Sequence, residues 1–435
     1  MEMSLLEDLE IEYQTNKVKK EDKAFHDWYR FVLSFPPHLV KNYLNKFEVE
    51  GKDLVLDPFT GTGTTLIESK LNGFNAVGIE ANPIIKYITQ TKLKWHVDTE
   101  RLIDTALDIS NEVNRLFKRQ GIDDKNLQVK NNEIKLLDLP IESKKIILEN
   151  SISPIPLHKA LTLLNKIQNI DNEAKDHLLV AFLKTVIKDV SNLRFGPEIG
   201  LGKIKDDAAI LGSWLNNVKT IKDDLDSIKD SKFPCEANVF LGDSRNAHQY
   251  LIPKSIKAVI TSPPYPNEKD YSRTTRLENV LLGFINNMDE LRQVKKTFVR
   301  SNTRSVYKED EDHKYIQHIT SITELAAKIE NRRIELGKTS GFEKMYSKVT
   351  LQYFGGMARH LSNMRGSLKN GAKLAYVVGD QASYLRVMIK TGELLAEIAE
   401  NLGYRVLDLE LFRKRFATAS KEELREEVLI LEWNG

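Results

Sequence analysis

The run Leu54-Val55-Leu56-Asp57-Pro58-Phe59-Thr60-Gly61-Thr62-Gly63-Thr64-Thr65-Leu66-Ile67-Glu68 decides the fold. Its three leading apolar residues predict a buried strand, and the Gly-x-Gly turn lets backbone approach a ligand closely. Thr64 and Thr65 are suited to capping a helix that Leu66, Ile67 and Leu71 continue and Gly73 ends. Asn75-Ala76-Val77-Gly78-Ile79-Glu80 predicts a second strand, whose closing carboxylate stands where nucleotide-binding folds accept ribose hydroxyls. Two phosphate-binding readings fail here. A P-loop requires Gly-Lys-Ser/Thr, but no lysine follows Gly63, and a dinucleotide fingerprint wants glycine where Leu66 stands. Asp57 would also repel a pyrophosphate and suits a cationic ligand.

A second stretch carries the chemistry: Ala258-Val259-Ile260-Thr261-Ser262-Pro263-Pro264-Tyr265. A buried strand stops at a polar pair, two prolines and a tyrosine. Proline fixes φ and lacks an N–H, so Pro263-Pro264 predicts a stiff extended turn whose carbonyls are left for a ligand. Ser262 adds an acceptor, and Tyr265 offers a flat face for stacking a ring. Such a corner suits an exocyclic amine on a planar base, a poor nucleophile because its lone pair is delocalised into the ring. Two acceptors on its hydrogens would favour a pyramidal nitrogen, and the tyrosine would hold the base out of its stack. The bland alternative is an ordinary strand-to-loop turn with a chance Pro-Pro pair.

Together, Asp-Pro-Phe-x-Gly-x-Gly-Thr-Thr and Thr-Ser-Pro-Pro-Tyr resemble the motifs of the DNA amino-methyltransferases, which methylate cytosine N4 or adenine N6 with S-adenosylmethionine. The resemblance covers about half the chain. It implies a Rossmann-like α/β fold, the seven-stranded class I methyltransferase sheet, here with two mostly helical insertions. It assigns Ser262, Pro263, Pro264 and Tyr265 to catalysis. Asp57, Pro58, Phe59, Gly61, Gly63, Thr64, Thr65 and Glu80 are expected to hold the cofactor. Asp243 and Ser244, which close the predicted strand Ala237-Asn238-Val239-Phe240-Leu241-Gly242-Asp243-Ser244, would join them at the adenine; a plain turn after a strand is the alternative for Asp243. The aromatic stretch 25–40, with Trp28 and Tyr29, resembles the segment covering the methionine end of the cofactor; a helix simply packing on the core is the alternative. His26 within it is assigned no chemistry. Serine in the Ser262 position usually accompanies cytosine in this family, so N4 of cytosine is the expected acceptor, within a restriction-modification system. Adenine N6 on the same scaffold is the alternative, and an RNA methyltransferase or a catalytically dead binding module stand further off.

Composition fits an enzyme of this kind without indicating it. The 435 residues exceed one typical domain; 41% are hydrophobic and 29% charged, as in globular proteins. No apolar run approaches the roughly 18 residues needed to span a bilayer. The start, Met1-Glu2-Met3-Ser4-Leu5-Leu6-Glu7-Asp8, lacks a signal peptide's basic and apolar regions, so a cytoplasmic protein is expected. The lone cysteine, Cys235, excludes an internal disulfide or thiolate cluster and reads as structural. No metal and no membrane are expected; the partners expected are double-stranded DNA and a cognate restriction endonuclease.

The expected organisation is an arm (1–24), the cofactor half (25–97), a helical insertion (98–234), the catalytic half (235–271), a second helical insertion (272–349) and a C-terminal part (350–435). Helical periodicity appears over 101–120, 172–193 and 206–229. The glycine-rich stretch 192–203 reads either as a turn between helices or as a DNA-facing loop. Later, a helix is expected over 351–368, strands over 372–379, 404–412 and 427–433, and a helix over 392–401. Net charge is only +2, so local clustering matters more. Arg292, Lys295, Lys296, Arg300, Arg304 and Lys308 run without an intervening acid, which favours the second insertion for phosphate contact. A solvated helix face is the alternative. Asn267, Tyr271 and Arg276, beside the catalytic turn, are expected near DNA or the flipped base.

Overall fold

The computed structural model describes residues 21–29, 34–129, 134–196, 199–231, 235–267, 269–416 and 423–435. The apolar runs read as strands all enter one sheet. Numbered in chain order, its strands are β1 (Leu54–Asp57), β2 (Asn75–Glu80), β3 (Ala237–Leu241), β4 (Ile256–Thr261), β5 (Leu368–Gly379), β6 (Arg405–Phe416) and β7 (Glu423–Trp433). Their spatial order is β6-β7-β5-β4-β1-β2-β3. Strands β1 to β5 pair in parallel, whereas β7 runs antiparallel between β5 and β6. This is the Rossmann-like class I methyltransferase sheet, with its last strand inserted in reverse. From β1 the chain winds outward to β2 and β3, then returns to start β4 on the other side. The gap between β1 and β4 is thus the topological switch point, where open α/β sheets bind ligands at their carboxyl ends.

The central strands are apolar because helices cover both faces. Ala258 and Ile260 of β4 and Ala375 and Val377 of β5 face one core; Val259, Leu374 and Tyr376 face the other. The first core runs without a break into the helices Thr99–Arg119, Lys175–Thr185 and Leu211–Ser227, through Leu102, Val113, Phe182 and Trp214. Asp98 starts the first of these by accepting from Glu100 N and Arg101 N.

Several expected boundaries shift. The helix expected over 172–193 ends at Thr185 and passes through a π-helical turn, Val186–Val190. The glycine-rich stretch then forms a small antiparallel hairpin, Leu193–Phe195 with Ile199–Leu201; Pro197 and Glu198 at its tip lie outside the described residues. The helix Pro154–Gln168 is not among those expected; it opens on a proline, which the first helical turn tolerates. The helix expected over 351–368 spans Tyr346–Met364, leaving Leu368 to open β5. Of the expected arm, residues 1–20 lie outside the described residues, as do Arg30, Phe31, Pro234 and Glu268. Among the described residues, no helix is long and apolar enough to cross a membrane.

Candidate active site

The site begins where β1 ends. Asp57 is fully buried, and its Oδ1 accepts from the Thr261 hydroxyl (2.6 Å) and from Phe59 N (3.1 Å). Thr261 closes β4, so this bond locks together the two strand ends that carry the motifs. Oδ2 of Asp57 has no hydrogen-bond partner among the described residues. Burial pushes the carboxyl up to about 6, because the charged form loses its water.

The loop after Asp57 is shaped by glycine. Gly61 (φ +51°) and Gly63 (φ +86°) adopt left-handed backbone that L side chains rarely reach. The loop folds back over β2, where Thr60 Oγ1 lies 2.9 Å from Asp57 O and 3.1 Å from Ile79 O. A Cβ on Gly78 would stand 2.3 Å from that hydroxyl, so β2 needs glycine there. Gly63 itself precedes the helix Thr64–Leu71, with no side-chain cap. Thr64 and Thr65 therefore do not cap; Thr65 instead donates to Ile260 O (2.9 Å), tying the helix to β4. Glu80 accepts from Gly61 N and Asn82 N, each at 2.8 Å, and burial pushes its carboxyl up to about 7.

Phe59, Gly61, Thr64 and Glu80 line one cleft with Ser262, Pro263, Pro264 and Tyr265, its volume about 660 Å³. Ser262 Oγ donates to Val377 O (3.1 Å), which commits its proton and leaves its lone pairs to accept. Tyr265 N donates to the Tyr271 hydroxyl (3.3 Å). The Tyr265 ring crosses the end of β5: a Cβ on Gly379 would lie 3.1 Å from its Cε2. Burial raises the Tyr265 phenol further, so it stays neutral.

Other expected residues stand elsewhere. Asp57, Pro58, Gly63 and Thr65 do not line the cleft; they lie behind the loop residues that do. Ser244 reaches the cleft and donates to Pro58 O, but the Asp243 carboxylate is held by Arg245 (Nη2–Oδ2 2.7 Å) and does not line it. Arg245 also pairs with Asp312 at 2.6 Å. Trp28 and Tyr29 are core residues, donating to Asp224 and Glu278; Ser34 and Phe35 supply that segment's share of the wall. Asn267 and Tyr271 line the cleft, whereas Arg276 pairs with Asp270 at 3.2 Å and does not.

The basic run is not a free cationic face. Lys295 is buried against Asp270 (3.1 Å), and Arg300 is 3% exposed, gripping Asp310 through Nη2 (2.8 Å). Arg292 pairs with Asp289 on the surface, and Lys296 lies over the Tyr307 ring. Only Arg304 of the expected cations reaches the cleft, where it stacks over Phe342 at 5.4 Å. The acids come from neighbouring segments, so the run alone did not reveal them. The sequence reading also missed Phe195 from the hairpin, and Arg413, Arg415 and Glu426 from β6 and β7, all on the cleft. An edge strand carrying Arg413-Lys414-Arg415 was their one available signal.

Sheet order, switch-point cleft and paired motifs define a class I methyltransferase. A family model described as DNA methylase matches residues 7–91. Over 95% of its length the chain is 26% identical to the Type II methyltransferase M.BsoBI of Geobacillus stearothermophilus, covering 84% of that protein. It is 26% identical to the Type II methyltransferase M.AvaI of Nostoc sp. over 91% of this chain and 81% of that one. A shorter match, 30% identical over 27% of this chain and 22% of the relative, is to the Type II methyltransferase M.MjaII of Methanocaldococcus jannaschii. The chain is thus similar to DNA methyltransferases over nearly its whole length, and to a DNA methylase family model over its first strands.

Proposed function

We propose that this enzyme methylates N4 of cytosine in double-stranded DNA, as the modification partner of a restriction endonuclease. One observation carries the reading: the cofactor loop and the Ser262-Pro263-Pro264-Tyr265 corner, two hundred residues apart, line the same cleft. The cofactor residues fit the donor. The unpaired, buried Oδ2 of Asp57 suits its ammonium group, and Glu80, on the wall, suits its ribose hydroxyls. S-adenosylmethionine supplies an electrophilic methyl on a positively charged sulfur.

The chain's own residues prepare the nucleophile. Ser262, its proton spent on Val377 O, accepts one amine hydrogen; the Pro263 carbonyl accepts the other. Both acceptors are fixed before the base arrives, so little reorganisation remains at the reacting nitrogen. Tyr265 stacks on the base and sets its distance from the donor, which is catalysis by positioning. Serine at 262, rather than the aspartate usual for adenine in this family, favours cytosine. The test is expression in a host without DNA methylation of its own, followed by sequencing of modified bases. N4-methylcytosine at one short site is expected; N6-methyladenine there would overturn the choice of base.

A further inference from the structure

We propose that Arg415 reads the Watson–Crick edge of the flipped cytosine, donating to ring N3 and O2, and so sets the preference for cytosine over adenine. The inference deepens the cytosine reading and rests on it. Arg413 and Arg415 stand two apart on β6 and share one face of the sheet. Glu426, opposite Arg413 on β7, is 5% exposed and pairs with both: Arg413 through Nε, and Arg415 at an Nε–Oε1 separation of 3.2 Å. That second contact offsets charge without satisfying the guanidinium. Nε and Nη2 of Arg415 are shielded from solvent and have no hydrogen-bond partner among the described residues. Buried N–H groups left unmet are costly and rare, so these two want an acceptor.

Their placement says which acceptor. Arg415 Nη2 lies 3.2 Å, and Tyr265 Cε2 3.1 Å, from the same point above Gly379, so the guanidinium borders the ring that stacks the base. Nε–H and Nη2–H form one edge of the planar fork, two near-parallel donors that match two adjacent acceptors. Cytosine with its amine at Ser262 offers two in a row, N3 and then O2. Adenine with its amine there offers N1 and then a C–H, leaving one buried donor unmet. A site built around a hydrogen bond rejects the analogue that lacks the partner.

The test uses the purified full chain and duplexes carrying either cytosine or adenine at the target position of its recognition site. Methyl transfer is measured for the wild type, Arg415→Leu and Arg415→Lys; lysine keeps the charge beside Glu426 but not the parallel donors. Both variants should lower kcat/KM for cytosine roughly 10- to 100-fold, the scale of one bidentate base contact. Transfer to adenine should be unmoved, and S-adenosylmethionine binding by calorimetry unchanged. If Arg415→Lys keeps the wild-type preference, or lowers both bases equally, Arg415 does not read the edge even though cytosine is the substrate. If the wild type itself methylates adenine at N6, the cytosine reading fails first and this inference with it.

Discussion

Asp57 concentrates the physics of the cofactor end in one side chain. Burial holds its carboxyl near 6 rather than 3.8. The folded protein therefore keeps that proton more tightly than the unfolded chain does. Stability is intact below pH 3.8 and is lost as pH rises through 6, by about 3 kcal/mol at neutral pH. Asp57→Asn should thus raise the melting temperature of the cofactor-free protein at pH 8, with little change at pH 4, while calorimetry detects no S-adenosylmethionine binding. A variant that binds as tightly as the wild type would remove Asp57 from the site. For the wild type, cofactor affinity should fall as pH drops from 8 to 5.5, because Asp57 and Glu80, near 6 and 7, become neutral toward a cationic ligand. A flat profile would contradict this. Gly379→Ala tests the other end: its methyl would press on Tyr265, so turnover should drop at least tenfold, about 1.4 kcal/mol in the barrier, with cofactor binding retained. Equal turnover would show that the ring tolerates displacement. That Asp57, Glu80 and the Ser262–Tyr265 corner stand at strand ends was legible in sequence because each closes an apolar run. Asp243 looked the same, but Arg245, two residues on, folds back and occupies it.

At the scale of elements, the segment after the catalytic turn is held by buried charge pairs. Lys295 and Arg300 each close an ion pair in the interior, with Asp270 and Asp310. Removing one partner strands the other, a loss of roughly 3–5 kcal/mol. Arg300→Ala should therefore lower stability in urea by that amount. Arg292→Ala, on an exposed pair, should stay within about 0.5 kcal/mol of the wild type. Equal effects from the two would mean that Arg300 is not a structural residue. Periodicity located long helices such as Thr99–Arg119 and Leu211–Ser227 but not how charges pair, because partners such as Asp270 and Asp310 lie outside the basic run itself. The same limit hid the hairpin Leu193–Leu201: glycines marked a break but not what it folds into, nor that Phe195 turns to the cleft.

Taken whole, the molecule is one sheet whose crossing point brings distant chain together. That the strands join one seven-stranded sheet followed from the resemblance; apolar runs gave the strands but not their neighbours. Nor did composition suggest that the helices of 98–231 share a core with the sheet, because periodicity shows a buried face without showing what covers it. Strands β6 and β7 were read too short, since their charged ends resemble loop. Those ends supply Arg413, Arg415 and Glu426, which line the cleft. The most direct measurement is transfer of labelled methyl from S-adenosylmethionine to duplex DNA, with the nucleosides separated after digestion, for the wild type and Tyr265→Ala. The wild type should place all label in N4-methylcytosine, and Tyr265→Ala should bind cofactor yet transfer almost none. Label in N6-methyladenine would contradict the choice of cytosine, and wild-type transfer by Tyr265→Ala would contradict a cleft in which that ring stacks the base.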